Sequence, residues 1–300
     1  MPWRRILYFI GLGIGLALFA RQTWLGYQTW QKQAYIFVQP YYLVAALGCY
    51  VVGYIVQISA WIMIMRYLNA PLTFTQAWQG YLLAFLPRYI PGVVWGYLSR
   101  NEWLAQKCGI GYAASSVASL LEVTTLLLTA FSIAAIYWVA LPFRLLVASV
   151  CGLLLVLNWW LVPSLVHRLG KEHWQVQPNR TQFFSLFLIG NGLYFFFWGL
   201  QGATILLVNL ALGIPHPIML ITGIFSASLA WSIGFLVLFV PAGLGIRETT
   251  LATLLNRYGA VPLGQANNLA IFSRLLLIGA ELCLVILILP IQIKRWRRTS

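Results

Sequence analysis

Phe85-Leu-Pro-Arg-Tyr-Ile-Pro-Gly-Val-Val-Trp95 and Phe239-Val-Pro-Ala-Gly-Leu-Gly-Ile-Arg-Glu248 are proline–glycine interruptions of apolar sequence at matching places in the two halves of the chain. Proline removes a backbone donor and glycine loosens the chain, so each stretch predicts a helix broken within a hydrophobic segment. Each also carries an arginine beside the break. At membrane depth, freed backbone groups and charge are tolerated only inside protein or along a wet cavity. Broken helices at corresponding places in two halves are the sequence pointer to a transporter's binding site.

The rest of the chain supports that frame. Of 300 residues, 61% are apolar and 8% charged, and the mean hydropathy is +0.83, which excludes a soluble domain. Apolar runs at 41–65, 112–140, 143–162, 183–212 and 265–290 are each long enough to cross about 30 Å of hydrocarbon. Arg4 and Arg5 before an apolar run outline a signal peptide. The run continues to Tyr27 with no small-residue cleavage site, so a first membrane span is the reading preferred. The stretch Ser164–Gln182 is polar and reads as a loop. Cys49, Cys108, Cys151 and Cys283 have no CxxC spacing and read as buried thiols, with neither disulfide nor metal implied.

The fold class expected is all-α: a polytopic transmembrane helix bundle of about six full spans plus two re-entrant broken-helix hairpins, 73–107 and 217–258. The chain reads as a single membrane domain over 1–300. An inverted repeat relates units at about 41–140 and 183–290, because three full spans separate the two breaks. Positive charge is concentrated at both ends (Arg4, Arg5; Lys294, Arg295, Arg297, Arg298) and in the loops on their side. That bias places both termini in the cytoplasm. The net charge of +14 is scattered through loops, which fits anionic lipid headgroups and not nucleic acid.

Charges inside apolar sequence are the candidate site. Arg88, Arg247 and Arg274 are the cations; Glu122, Glu248 and Glu281 are the anions. Arg274 and Glu281 stand seven positions apart, on one helix face. A planar guanidinium donates paired hydrogen bonds to phosphate, and the amides opening a helix after Gly92 and after Gly245 attract anions. Trp95 either lines this site or belongs to an interfacial belt. The alternative for all these charges is that they knit helices together. Arg66, Arg100 and Lys107 read as loop residues. The chain has no aspartate, no GxxxxGK[ST], HExxH or GxSxG, and no zinc-like spacing of His167, His173 and His216. No metal, cofactor or enzymatic activity is therefore expected.

The segment from Arg88 to Trp95 and the PxGxGxRE pattern from Pro241 to Glu248 resemble the flippase-like membrane domain of the lysylphosphatidylglycerol synthase family, the multiple peptide resistance factor group. The resemblance runs from about Ile6 to Pro290 and is to the stand-alone form, without the aminoacyl-transferase domain. It implies movement of a phospholipid, or a lipid-linked amphiphile with a phosphate-bearing headgroup, between leaflets of the cytoplasmic membrane. By motif position it implies site residues Arg88, Pro91, Gly92, Trp95, Gly243, Gly245, Arg247 and Glu248, with Glu122 and Arg274 on the helices after each break. Ala242 stands where the pattern more often has glycine. The partners implied are membrane lipids and a separately encoded lipid-modifying enzyme. The second functional class consistent with the residues is a non-transporting scaffold for a lipid-modifying or glycosyl-transferring enzyme.

Overall fold

The computed structural model describes residues 2–32, 39–85, 87, 95–169, 178–238 and 240–299. Among them there are ten α-helices and no strand: α1 (Pro2–Lys32), α2 (Pro40–Tyr67), α3 (Phe74–Leu83), α4 (Trp95–Cys108), α5 (Tyr112–Trp138), α6 (Arg144–Leu169), α7 (Phe183–Ala211), α8 (Leu220–Leu236), α9 (Ile246–Tyr258) and α10 (Leu263–Thr299). The all-α membrane bundle read from composition is what the chain forms. Segments Pro40–Tyr67, Tyr112–Trp138, Leu141–Val166, Phe183–Ala211 and Leu263–Ile286 are long and apolar enough to cross a bilayer. The expected sixth span is the 31-residue α1, which at about 1.5 Å per residue has the length to do so.

The two interrupted segments form helix pairs. Their arms, α3, α4, α8 and α9, have 10, 14, 17 and 13 residues, each short of the roughly 20 a span requires. Within each pair the arms pack on one another. The order short helix, break, short helix, long helix thus occurs twice, as α3–α4–α5 and α8–α9–α10.

Local chemistry sets the ends. Thr73 caps α3: its hydroxyl accepts the Gln76 N–H at 3.3 Å and its own N–H donates to Gln76 Oε1 at 3.0 Å, a reciprocal arrangement that satisfies two orphan donors. Pro40 opens α2 where a missing N–H costs nothing. The expected loop at Ser164–Gln182 begins later than its polarity indicated, because α6 runs to Leu169. No more than half of each apolar span is buried in the bundle, and helical hydrogen bonds let its polar residues remain helical.

Helices α2 and α7 pack along each other as the central pair, with α8 on α7, α6 on α5, and α1 on α9 and α10. Large aromatics fill the interior: Trp61, Trp159, Trp198, Tyr194 and Phe225 are essentially inaccessible. Close approach is set by glycine. A Cβ on Gly202 of α7 would lie 2.6 Å from the Ile224 backbone nitrogen of α8, so backbone meets backbone there. The four cysteines are free, but they are not buried: three are part-exposed and Cys283 is exposed. A thiol is apolar enough to face lipid as readily as core.

Candidate functional site

The break between α8 and α9 is a 3-10 turn, Pro241–Gly243, followed by Leu244 and Gly245. Three residues take left-handed backbone: Ala242 (φ 49°), Gly243 (φ 66°) and Gly245 (φ 79°). The value at Ala242 explains why glycine suits that position, since a Cβ is strained there. An added Cβ on Gly243 would sit 2.9 Å from the Gly234 carbonyl oxygen, and one on Gly245 would sit 2.5 Å from that of Gly15 in α1. Gly245→Ala is therefore expected to cost about 1–3 kcal/mol through left-handed strain and overpacking against α1. Thermal unfolding in detergent checks this; an unchanged midpoint would contradict it.

A pair of charges fastens this turn to α10. Glu248 accepts the Gly245 N–H on Oε2 at 2.6 Å. Arg274 donates through Nη2 to the Ala242 carbonyl at 3.2 Å. Between them, Arg274 Nε and Glu248 Oε1 lie 3.4 Å apart, at ion-pair range. They are not aligned for a hydrogen bond, and neither atom has another partner. The Gly245 N–H, just before the amides expected to attract an anion, is thus occupied by the chain's own carboxylate.

The first half carries the corresponding pair with signs exchanged. On α4, Arg100 reaches Glu122 of α5, Nη2 to Oε2 at 2.6 Å, and Ser119 Oγ at 2.8 Å. Tyr81 of α3 donates its hydroxyl to Glu122 Oε1. The guanidinium carbon lies 4.1 Å from the Trp61 ring centroid and 5.0 Å from that of Tyr81, a cation–π arrangement. Both members of the pair are 1% exposed. Arg100 is therefore no loop residue. Its polar neighbours Ser99, Asn101 and Glu102 gave it the look of one, and the Asn101 amide 3.0 Å from Ser119 Oγ shows that this polarity also faces inward.

Both hairpins open onto one cavity of about 130 Å³, with room for several waters. Tyr81, Tyr97 and Arg100 line it from the first hairpin, and Gly234, Gly243 and Arg247 from the second. Arg274 and Glu281 face it from α10, as their seven-residue spacing requires. Glu281 also accepts the Tyr54 hydroxyl. Arg247 differs from the other two arginines: among the described residues it has no ion pair within 4.0 Å and no hydrogen bond. A smaller cavity of about 10 Å³, lined by Tyr50, Arg247, Glu248, Ser273 and Arg274, lies beside the large one and is about the size of one water.

The remaining expected residues fall elsewhere. Arg88, Pro91 and Gly92 lie outside the described residues. Trp95 opens α4, is 49% exposed, and does not line the cavity. Glu122 stands behind Arg100 and Tyr81 and also does not line it. Sequence reasoning missed Arg100, and it missed Gln57 and Gln201, which line the cavity from α2 and α7. Gln57 is the only amide side chain in α2 and Gln201 the only glutamine in α7, a signal that was present in the sequence.

No curated protein and no solved structure matches the chain. Residues 8–291 match the family described as the lysylphosphatidylglycerol synthase TM region. With nearly the whole chain inside that match, the protein belongs to the lysylphosphatidylglycerol synthase transmembrane-region family, membrane proteins related to lipid modification or translocation.

Proposed function

We propose that this protein translocates a phosphate-bearing lipid headgroup across the cytoplasmic membrane, with both termini in the cytoplasm and without a covalent step. The observation that carries the reading is Arg247: a guanidinium without an ion pair or hydrogen bond among the described residues, on the cavity shared by the two hairpins. Arg247 is part-exposed on the cavity with no carboxylate within 4.0 Å among the described residues, and a phosphate oxyanion would engage it through paired, charge-assisted hydrogen bonds. Arg274, whose Nε lacks a hydrogen-bond partner, stands on the same cavity to share the load. Acyl chains would remain in lipid while the headgroup passes through the cavity. Lipids are the partners this reading requires, with a separate lipid-modifying enzyme as the source of any modified headgroup.

The test is leaflet exchange of fluorescent phospholipid in proteoliposomes. Reconstituted protein is expected to make the inner-leaflet probe accessible to an external quencher faster than protein-free vesicles do. Exchange at the protein-free rate would leave the scaffold reading in its place.

A further inference from the structure

The small cavity beside the large one gathers buried polar atoms of opposite kinds. Glu248 of α9 and Ser273 and Arg274 of α10 line it, and each is at most 4% exposed. Glu248 Oε1, Ser273 Oγ and Arg274 Nε all lack a hydrogen-bond partner among the described residues. Tyr50 of α2 is 2% exposed and lines this cavity but not the large one. Elsewhere a buried side-chain atom without a partner lines neither cavity, as with Trp159 Nε1 and Asn191 Oδ1, or lines the large one alone, as with Arg100 Nε.

These groups select what can fill the cavity. A guanidinium Nε only donates and a carboxylate oxygen only accepts, whereas a hydroxyl does both. A metal cation would suit Glu248 Oε1 but would be repelled by Arg247 and Arg274, which line the same cavity. An anion such as chloride would be repelled by Glu248. A neutral molecule that both donates and accepts meets all three atoms, and a volume of about 10 Å³ admits one the size of water. We propose that the small cavity is an ordered-water site. The water accepts from Arg274 Nε, donates to Glu248 Oε1 and bonds the Ser273 hydroxyl.

That water completes the fastening of the second hairpin. Glu248 already holds the Gly245 N–H through Oε2, and Arg274 holds the Ala242 carbonyl through Nη2. The water joins their remaining arms, so the turn, α9 and α10 close into one hydrogen-bonded ring. The first hairpin reaches the same end with side chains alone, since both oxygens of Glu122 are engaged, one by Tyr81 and one by Arg100. A bridging water is enthalpically nearly as good as a direct hydrogen bond. The site is independent of the translocation reading, because it belongs to the unloaded protein.

The experiment is X-ray radiolytic labelling in heavy-oxygen water, read by mass spectrometry, on the purified full-length protein in maltoside micelles and phosphate-free buffer. Hydroxyl radicals formed from a bound water oxidise the side chains around it, so Tyr50 is expected to take up heavy oxygen. Trp198 is the control: it is 1% exposed, lines neither cavity, and donates its N–H to the Thr129 hydroxyl at 3.0 Å. It is expected to stay unlabelled. An unlabelled Tyr50, or a Trp198 labelled to the same extent, would overturn the proposal. Ser273→Ala gives an independent readout by denaturant titration. With the water in place it removes one hydrogen bond and shifts the equilibrium about fivefold toward the unfolded state, the equivalent of about 1 kcal/mol. Around a dry cavity it would instead remove an unsatisfied hydroxyl, leaving stability unchanged or raised, and that result would also overturn the proposal. Both readouts are taken without lipid substrate, so this site and the translocation reading stand or fall separately.

Discussion

Arg247→Ala is expected to lower leaflet exchange of phosphate-bearing lipid at least tenfold while leaving the unfolding midpoint nearly unchanged. The first half follows from the strength of charge-assisted hydrogen bonds, about 1.5–3 kcal/mol each, which is roughly a factor of ten or more in binding. The second half follows from geometry. Arg247 holds no ion pair or hydrogen bond among the described residues, so its removal breaks none. Its backbone and Cβ, which pack against Gly234, are retained by alanine. Arg247→Lys should fall between, because an ammonium keeps the charge and loses the planar fork. Exchange at the wild-type rate in Arg247→Ala would remove the basis of the proposed function.

Arg100→Ala should behave in the opposite way, losing stability first. Glu122 would remain 1% exposed with its counter-charge gone, and breaking a buried pair in this manner costs about 3–5 kcal/mol. The cation–π contacts with Trp61 and Tyr81 would be lost together with the pair. Combining Arg100→Leu with Glu122→Leu removes both charges and should recover a large part of that stability, as replacing an entire buried pair often does. Denaturant titration in detergent measures each variant. A stable Arg100→Ala protein that has lost only lipid exchange would show that this arginine serves the headgroup directly and is not a helix fastener.

The contrast between these two arginines was not visible in the chain. Arg88, Arg247 and Arg274 stood out because apolar sequence surrounds them, and the sequence reading grouped all the internal charges into one network. The structure divides them. Glu122 belongs to Arg100, a residue whose polar neighbours disguised it, and Glu248 belongs to Arg274 and to the Gly245 amide. Trp95, carried into the site by its motif position, faces outward. Conversely Gln57 and Gln201 were overlooked, because a glutamine in an apolar span reads first as an amide that finds a neighbour. Only the fold shows that both line the cavity.

By itself the sequence determined that this protein is a helical membrane bundle, where its two helices break, and which family it belongs to. Those properties follow from local quantities: apolar run length, proline and glycine in those runs, and motif spacing. Only the tertiary structure decided which charge meets which. Pairing depends on helix rotation and on contacts between distant segments, as when Tyr54 of α2 meets Glu281 of α10. A hydrogen bond is won or lost within about an ångström. No pattern of residue types along the chain carries that precision, so which of the described cavity arginines, Arg100, Arg247 and Arg274, lacks an ion pair and a hydrogen bond had to be found in three dimensions.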